Sequence, residues 1–365
     1  MPRMYRAAGL AVRRECEPGA AEPAPKEKKE DKKMKVDGGG LIVIGENFNA
    51  TRKIKATGPR VVEAGGKKGI GYEDLDGNKQ ILDCTDIIPT DPAELNSFLI
   101  PHIGQALRTD DQNYIRWAIK NQELKGAHII DLCVDEMSVY PEERYEWIQN
   151  LVRMAQGITD AIVAVDSSDS KTIYAGLEAH DSSKSRPAIN SFNLEDGRQE
   201  LVGMAKERNA LLFTNASGNA GMPANAEERV ANLDTCMEMM DEGGIPMEDR
   251  FLDALVFPVG AGPEFGGHYL DAITALRAKY PDVHLFGGHS NVSFGLPDRK
   301  LMNQTFCSLA ILAGCDALMI DPVMNTPESL NDFYFSSRAL QGLDEYSVNY
   351  LGYARGKKGT TRKKK

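Results

Sequence analysis

Eight short apolar runs recur along the chain. They are LIVIG (41–45), HIIDLC (128–133), AIVAVD (161–166), PAIN (187–190), ALLFT (210–214), DRFLDALVFP (249–258), VHLFGG (283–288) and DALMID (316–321). Runs that are apolar at successive rather than alternate positions suit strands covered on both faces, as in a parallel sheet. Longer segments with helical spacing lie between them: QNYIRWAIKNQELKG (112–126), EERYEWIQNLVRMAQ (142–156), SKTIYAGLEAH (170–180), EERVANLDTCMEMMDEG (227–243) and DRKLMNQTFCSLAILAG (298–314). Several start on an acidic residue, Ser or Asn and stop at glycine, as helix ends prefer. Strand–helix alternation repeated eight times predicts an α/β fold of the closed (β/α)8, or TIM-barrel, type. An open dinucleotide-binding sheet is disfavoured, because no GxGxxG follows the first strand in the required context.

The first unit departs from this rhythm. About 65 residues separate LIVIG from the first clear helix, and within them 69–83 (GIGYEDLDGNKQILD) predict a hairpin turning at Asp76, Gly77 and Asn78. Such an insertion after strand one would lie on the C-terminal barrel face, where barrel enzymes carry their sites. A lid, a docking surface and a decorative excursion are all compatible with it.

Composition narrows the class. The chain of 365 residues is 42% hydrophobic and 26% charged, and no apolar run approaches the 18 or so residues of a membrane span. The AAGLAV stretch near the start is too short and too basic in its surroundings for a convincing signal sequence. Six cysteines at 16, 84, 133, 236, 307 and 315 form no CxxC pair. A disulfide framework or structural zinc is therefore not expected, and a reducing, cytoplasmic setting is. Residues 1–40 mix ten Lys/Arg with seven Asp/Glu and read as a disordered extension, with Met34 a second candidate start. A barrel is expected over 41–345 and a solvated basic tail over 346–365, whose last eleven residues hold seven Lys/Arg and no acid. The body between these ends is more acidic than the chain's net charge of −10, which argues against a nucleic-acid surface.

In a barrel, polar residues at strand C-termini converge on one mouth. Here they are Glu46 and Asn49, Asp131 and Asp135, Asp166, Asn190, Asn215, Asp253, Ser290 and Asn291, and Asp321. On this reading the mouth is rich in carboxylates and amides and almost free of Lys and Arg. That suits a donor-rich heterocycle better than a phosphate, because a carboxylate accepts two N–H bonds from an amidine-like edge. Any one of these aspartates is equally a helix cap, Asp166, Asp135 and Asp321 in particular. His289 has no second histidine at metal-ligand spacing, so no metal site is expected. Cys133 reads as a small buried side chain, and Trp117 and Trp147 read as packing residues.

The motifs GENFNAT (45–51), DLCVDE (131–136), VDSSDS (165–170), AINSFN (188–193), FLDALVFPVG (251–260) and GGHSNVSFGLPDR (287–299) occur in one order. Together, over roughly 41–325, they resemble the pterin-binding barrel of methyltetrahydrofolate:corrinoid methyltransferases, including the folate domain of cobalamin-dependent methionine synthase. The resemblance implies pterin-anchoring roles for Asp166, Asn190 and Asp253, with Asp131 and Ser290 beside them, and a folate-proximal Arg299. It implies that Asn291 contacts the pterin near nitrogen 5 during methyl transfer between methyltetrahydrofolate and a corrinoid. Asn291 would then strengthen a hydrogen bond as charge develops on the leaving amine. The corrinoid is expected on a separate partner protein, since Asp-x-His-x-x-Gly is absent and Pro101-His102-Ile103-Gly104 has the wrong spacing. A homodimer is the usual assembly of such barrels. Cys133, where many relatives have Asn, departs from the family pattern, as do the insertion and the charged ends. A dihydropteroate synthase-like enzyme and a non-catalytic folate-binding module are the alternatives. The first would need a lysine on the seventh strand and an Arg-x-His near the eighth.

Overall fold

A computed structural model describes residues 39–363. The expected N-terminal extension, Met34 as a start, and the last two lysines of the tail lie outside the described residues. Eight parallel strands form the centre: β1 (Ile42–Asn49), β2 (Ile129–Cys133), β3 (Ile162–Asp166), β4 (Pro187–Leu194), β5 (Leu211–Gly218), β6 (Arg250–Asp253), β7 (His284–Phe286) and β8 (Ala317–Ile320). Neighbours in sequence pair from β1 through β7, and β8 pairs with β1. The last seam, β7 to β8, closes through one bridge between Gly288 and Met319. Asp316 reinforces that seam: its carboxylate accepts from the Leu285 amide at 2.8 Å and pairs with Arg277 at 2.9 Å and with His284 at 2.8 Å.

Each strand is buried on both faces, which explains the unbroken apolar runs. Outward residues such as Val43, Ile130, Val163, Ile189, Leu212 and Leu252 join one core with the surrounding helices. The alternate positions point into the barrel. There Phe213, Phe251 and Phe286 meet with ring centroids 4.9–6.2 Å apart. The helical ring consists of α1 (Gln112–Leu124), α2 (Pro141–Ile158), α3 (Ser170–Ala179), α4 (Glu200–Arg208), α5 (Ala226–Glu242), α6 (Phe265–Lys279), α7 (Arg299–Ala313) and α8 (Pro327–Leu340). Asp111, Asp169 and Asn225 cap α1, α3 and α5 by accepting first-turn amides. Gly314 ends α7 at φ +128°, where a Cβ would come within 2.8 Å of Arg277.

Three boundaries differ from the sequence reading. β6 stops at Asp253 instead of running to 258, because the Asp253 carboxylate accepts the Leu255 amide at 2.7 Å and turns the chain, with Leu255 at φ +65°. After β1, a three-stranded antiparallel sheet (Val61–Ala64, Lys67–Glu73, Lys79–Asp83) stands where a two-stranded hairpin was expected, with the predicted turn at 74–78. It is fastened to α1 by Tyr72, whose ring lies 4.9 Å from Tyr114 and 5.0 Å from Trp117. Finally, the basic tail is not a loose end as far as it is described: Val348–Lys363 forms a helix, α9. Tyr353 stacks on Phe335 of α8 at 4.4 Å, and Lys357 pairs with Asp332 at 2.6 Å.

Candidate active site

The period of two along each strand builds the site. Ile129 and Asp131 share the inner row of β2, as do Ala164 and Asp166 on β3, Ala188 and Asn190 on β4, Phe213 and Asn215 on β5, and Phe251 and Asp253 on β6. The inner row is therefore apolar at depth and polar at its upper rung, so a hydrophobic plug supports a polar floor. Above the floor opens a cleft of about 780 Å³. Asp131 and Asp166 line it from the floor, Ser290 and Asn291 from the turn after β7, and Arg299 from the start of α7. Asn190 is joined to this group through Asp131, donating to its Oδ1 at 3.0 Å. Asp253 is not among the lining residues and sits one strand short of the Asn291 turn.

Low solvation dominates the electrostatics. Burial, then the charge of Asp166, raises Asp131 well above the ordinary carboxylate range, with the Asn190 amide opposing. Asp166 is pushed up to about 7 by burial and then by Asp135. Asp253 also rises to about 7, again by burial, against the Leu255 amide and the Arg229 charge. Carboxyl groups on this floor thus hold protons into the neutral range, so it offers both donors and acceptors to a heterocycle.

The turn His289–Ser293 is braced from three directions. His289 is fully buried and its Nε2 lies 3.2 Å from the Tyr269 hydroxyl. The Ser290 hydroxyl donates to Glu46 of β1. Arg299 donates to the Ser290 carbonyl at 2.7 Å and to the Ser293 hydroxyl at 3.0 Å. Asn291 itself is exposed, and among the described residues its side-chain amide has no hydrogen-bond partner. Gly288 makes room for it, since a Cβ there would lie 2.9 Å from the Asn291 amide nitrogen.

Several expectations change on this geometry. Asp166 is not a helix cap; Asp169 takes that place, accepting the Thr172 amide at 3.2 Å. Asp135 braces the β3 loop through Ser167 at 2.5 Å and Ser168 at 2.7 Å. Asp321 accepts the Val323 and Met324 amides at 2.8 and 3.0 Å, which orders the loop after β8. The guanidinium of Arg299 is directed into the turn. The mouth is also not free of cations: Arg52, Lys53 and Arg60 wall the cleft opposite the floor. They come from the loop after β1, not from strand ends, so reading strand ends alone missed them. Arg52 and Lys53 directly follow the GENFNAT motif, which was a usable signal; nothing in the sequence marks Arg60.

Comparison with known proteins supplies the family. The chain is 27% identical over 269 residues to the methylcorrinoid:tetrahydrofolate methyltransferase of Eubacterium limosum, covering 73% of this chain and 96% of that one. It is 25% identical over 232 residues to the methionine synthase of Mycobacterium tuberculosis, covering 59% of this chain but only 19% of that larger protein. A solved structure of Yersinia pestis DHPS with a pterine-sulfa conjugate superposes with a TM-score of 0.50 at 16% identity, over 64% of this chain and 89% of that one, which shows a shared fold. Residues 104–321 match the family model of the pterin binding enzymes. That span is more than half of the chain and carries the polar floor and the Asn291 turn, and the chain belongs to this family.

Proposed function

We propose that this protein moves a methyl group between nitrogen 5 of methyltetrahydrofolate and the cobalt of a corrinoid carried by a separate protein. The observation that carries the reading is the unpartnered Asn291 amide, held on a rigid turn at the mouth of a cleft floored by Asp131 and Asp166. The similarity to the Eubacterium methyltransferase, which extends over nearly the whole of that protein, supports it.

The carboxyl floor suits the amidine-like edge of a pterin. Asp166 would accept its N–H donors, while Asn190 holds Asp131 in place. Asp253 would anchor the ring from the β6 side. When the methyl group leaves, the carbon–nitrogen bonding pair returns to nitrogen 5 and that nitrogen takes up a proton from the solvent. Asn291 is neutral and does not supply the proton, but its amide can donate to nitrogen 5 as electron density builds there. No protein group competes for this donor, so it is available to nitrogen 5 when the charge develops.

The corrinoid supplies the cobalt that exchanges the methyl group, and the one candidate ligand segment among the described residues does not fit a resident one. His102 of the Pro-His-Ile-Gly segment is buried, with Nδ1 2.8 Å from the Tyr114 hydroxyl, and burial with the nearby charges of Arg60 and Arg52 lowers its pKa to about 3. A partner bringing the corrinoid would cover the mouth. In keeping with this, Leu99, Phe294, Val323 and Met324 stand 38–66% exposed around the rim. A dihydropteroate synthase-like reaction finds less support: β7 ends at Phe286, Gly287-Gly288-His289 follow it, and no lysine stands there.

The deciding experiment mixes the purified chain with methyltetrahydrofolate and Co(I) cobalamin without oxygen and follows the cobalamin spectrum. Formation of methylcobalamin, or of methyltetrahydrofolate in the reverse mixture, is the expected result. If neither forms, and neither forms with a corrinoid protein as acceptor although folate binds, the chain is a binding module.

A further inference from the structure

The cleft has opposite characters at its two sides. Its floor is carboxyl-rich, whereas Arg52, Lys53 and Arg60 stand on the wall contributed by the loop after β1. Most of the cations around it are already engaged. Arg52 pairs with Glu46 at 2.5 Å and approaches Asp321 at 3.8 Å. Lys53 pairs with Glu136 at 2.8 Å. Arg299 is spent on the Ser290 carbonyl and the Ser293 hydroxyl. Arg60 differs, since among the described residues it makes no ion pair with any carboxylate.

Arg60 is nevertheless positioned. It lines one niche with Tyr114, and its charge opposes the upward shift that burial imposes on that phenol. Tyr114 is fully buried, and its hydroxyl is fixed by His102 Nδ1 at 2.8 Å. Tyr72 and Trp117 pack on the Tyr114 ring at 4.9 and 5.2 Å. Since His102 stays neutral, it does not compete with Arg60 for an anion. Asp321, which lines the same niche, is occupied by the Val323 and Met324 amides and by Asn47 at 2.8 Å. A small niche of about 70 Å³ opens between Arg52, Arg60, His102 and Trp117 beside the main cleft.

Resting on the methyl-transfer reading above, we propose that Arg60, in the niche it shares with Tyr114, is the anchor for a carboxylate of the aminobenzoylglutamate tail, so that this cleft selects a tailed folate over a bare pterin. Floor and wall together match a ligand with an N–H-rich head and an anionic end. The planar guanidinium suits a carboxylate because it can donate two parallel hydrogen bonds. This places tail recognition in the loop after β1 and not at Arg299.

The test is a pair of affinities measured calorimetrically on the full chain: methyltetrahydrofolate, and a reduced methylpterin that lacks the aminobenzoylglutamate tail. The wild-type protein should prefer the tailed ligand at least tenfold. Arg60→Ala should weaken the tailed ligand about tenfold while the bare pterin binds as before, and Arg60→Lys should restore part of the loss. A tail whose carboxylates are converted to amides should lose the same factor in the wild type and nothing further in Arg60→Ala. Equal loss for both ligands, or no loss for either, overturns the assignment. If the wild-type protein binds both ligands without preference, only the tail proposal fails; if it binds neither, the methyl-transfer reading fails with it.

Discussion

Asn291 and Asp253 illustrate how differently two polar residues at one mouth can act. Asn291 has a free amide on a braced turn, so Asn291→Ala removes a donor without loosening its support. The expected result is a fall in methyl-transfer rate on the order of 100-fold, the usual cost of one transition-state donor, with folate affinity little changed. An unchanged single-turnover rate would remove Asn291 from the reaction. Asp253 instead stores an electrostatic cost. Its folded pKa of about 7 lies above the ordinary 3.8, so between those pH values the folded state holds a proton that the unfolded chain has released. Stability contributed by this group is therefore complete below about pH 4 and lost as pH rises to about 7. In Asp253→Asn the decline in urea stability between pH 5 and pH 8 should be smaller by on the order of 1 kcal/mol. The same decline in both proteins would mean that Asp253 titrates normally. Both residues were legible as strand-end polar groups. The commitment of Arg299 was not, because its partners, a carbonyl and a serine hydroxyl, leave no periodic trace.

Among the elements, α9 shows how composition misleads. Seven basic residues without an acid in the last eleven positions read as a solvated end, yet Val348–Lys363 is helical and rests on α8 through Tyr353 and Lys357. The acids that balance it, Glu328 and Asp332, lie on another helix, and Lys357 reaches them at 3.1 and 2.6 Å. Exposed ion pairs of this kind contribute little, so the docking should depend more on the Tyr353–Phe335 stack. Tyr353→Ala is expected to lower stability by about 1 kcal/mol, seen as a lower urea midpoint at unchanged slope, while Lys357→Ala has less effect. A larger loss in Lys357→Ala would reverse this ranking. The barrel strands were legible for the opposite reason: burial on both faces leaves unbroken apolar runs that side-chain charge cannot obscure. The sheet after β1 lies between these cases, since its Asp-Gly-Asn turn announced a hairpin while its third strand, Val61–Ala64, is mostly exposed and carries no such pattern.

Taken across the molecule, the cleft gathers residues from Glu46 to Met324, out of the first three and the last two barrel units. No local segment can form it alone, so a ligand in the cleft binds the closed barrel and not the unfolded chain. By mass action, a ligand at 100 times its dissociation constant should stabilise the fold by about 2.7 kcal/mol. In a chain of this size that is a rise of several degrees in the melting temperature. The sheet after β1 shares a core with the barrel through Ile70, Tyr72 and Leu82, so it should melt in the same transition. Calorimetry with saturating tetrahydrofolate is thus expected to move one cooperative transition upward. Asn291→Ala should keep the shift because its amide acts on nitrogen 5 mainly as the methyl departs, whereas Asp166→Ala should lose it because the pterin floor is gone. A second, unshifted transition would mean that the wall carrying Arg60 folds apart from the floor carrying Asp166, and the cleft would then be an association of two parts instead of a single built site.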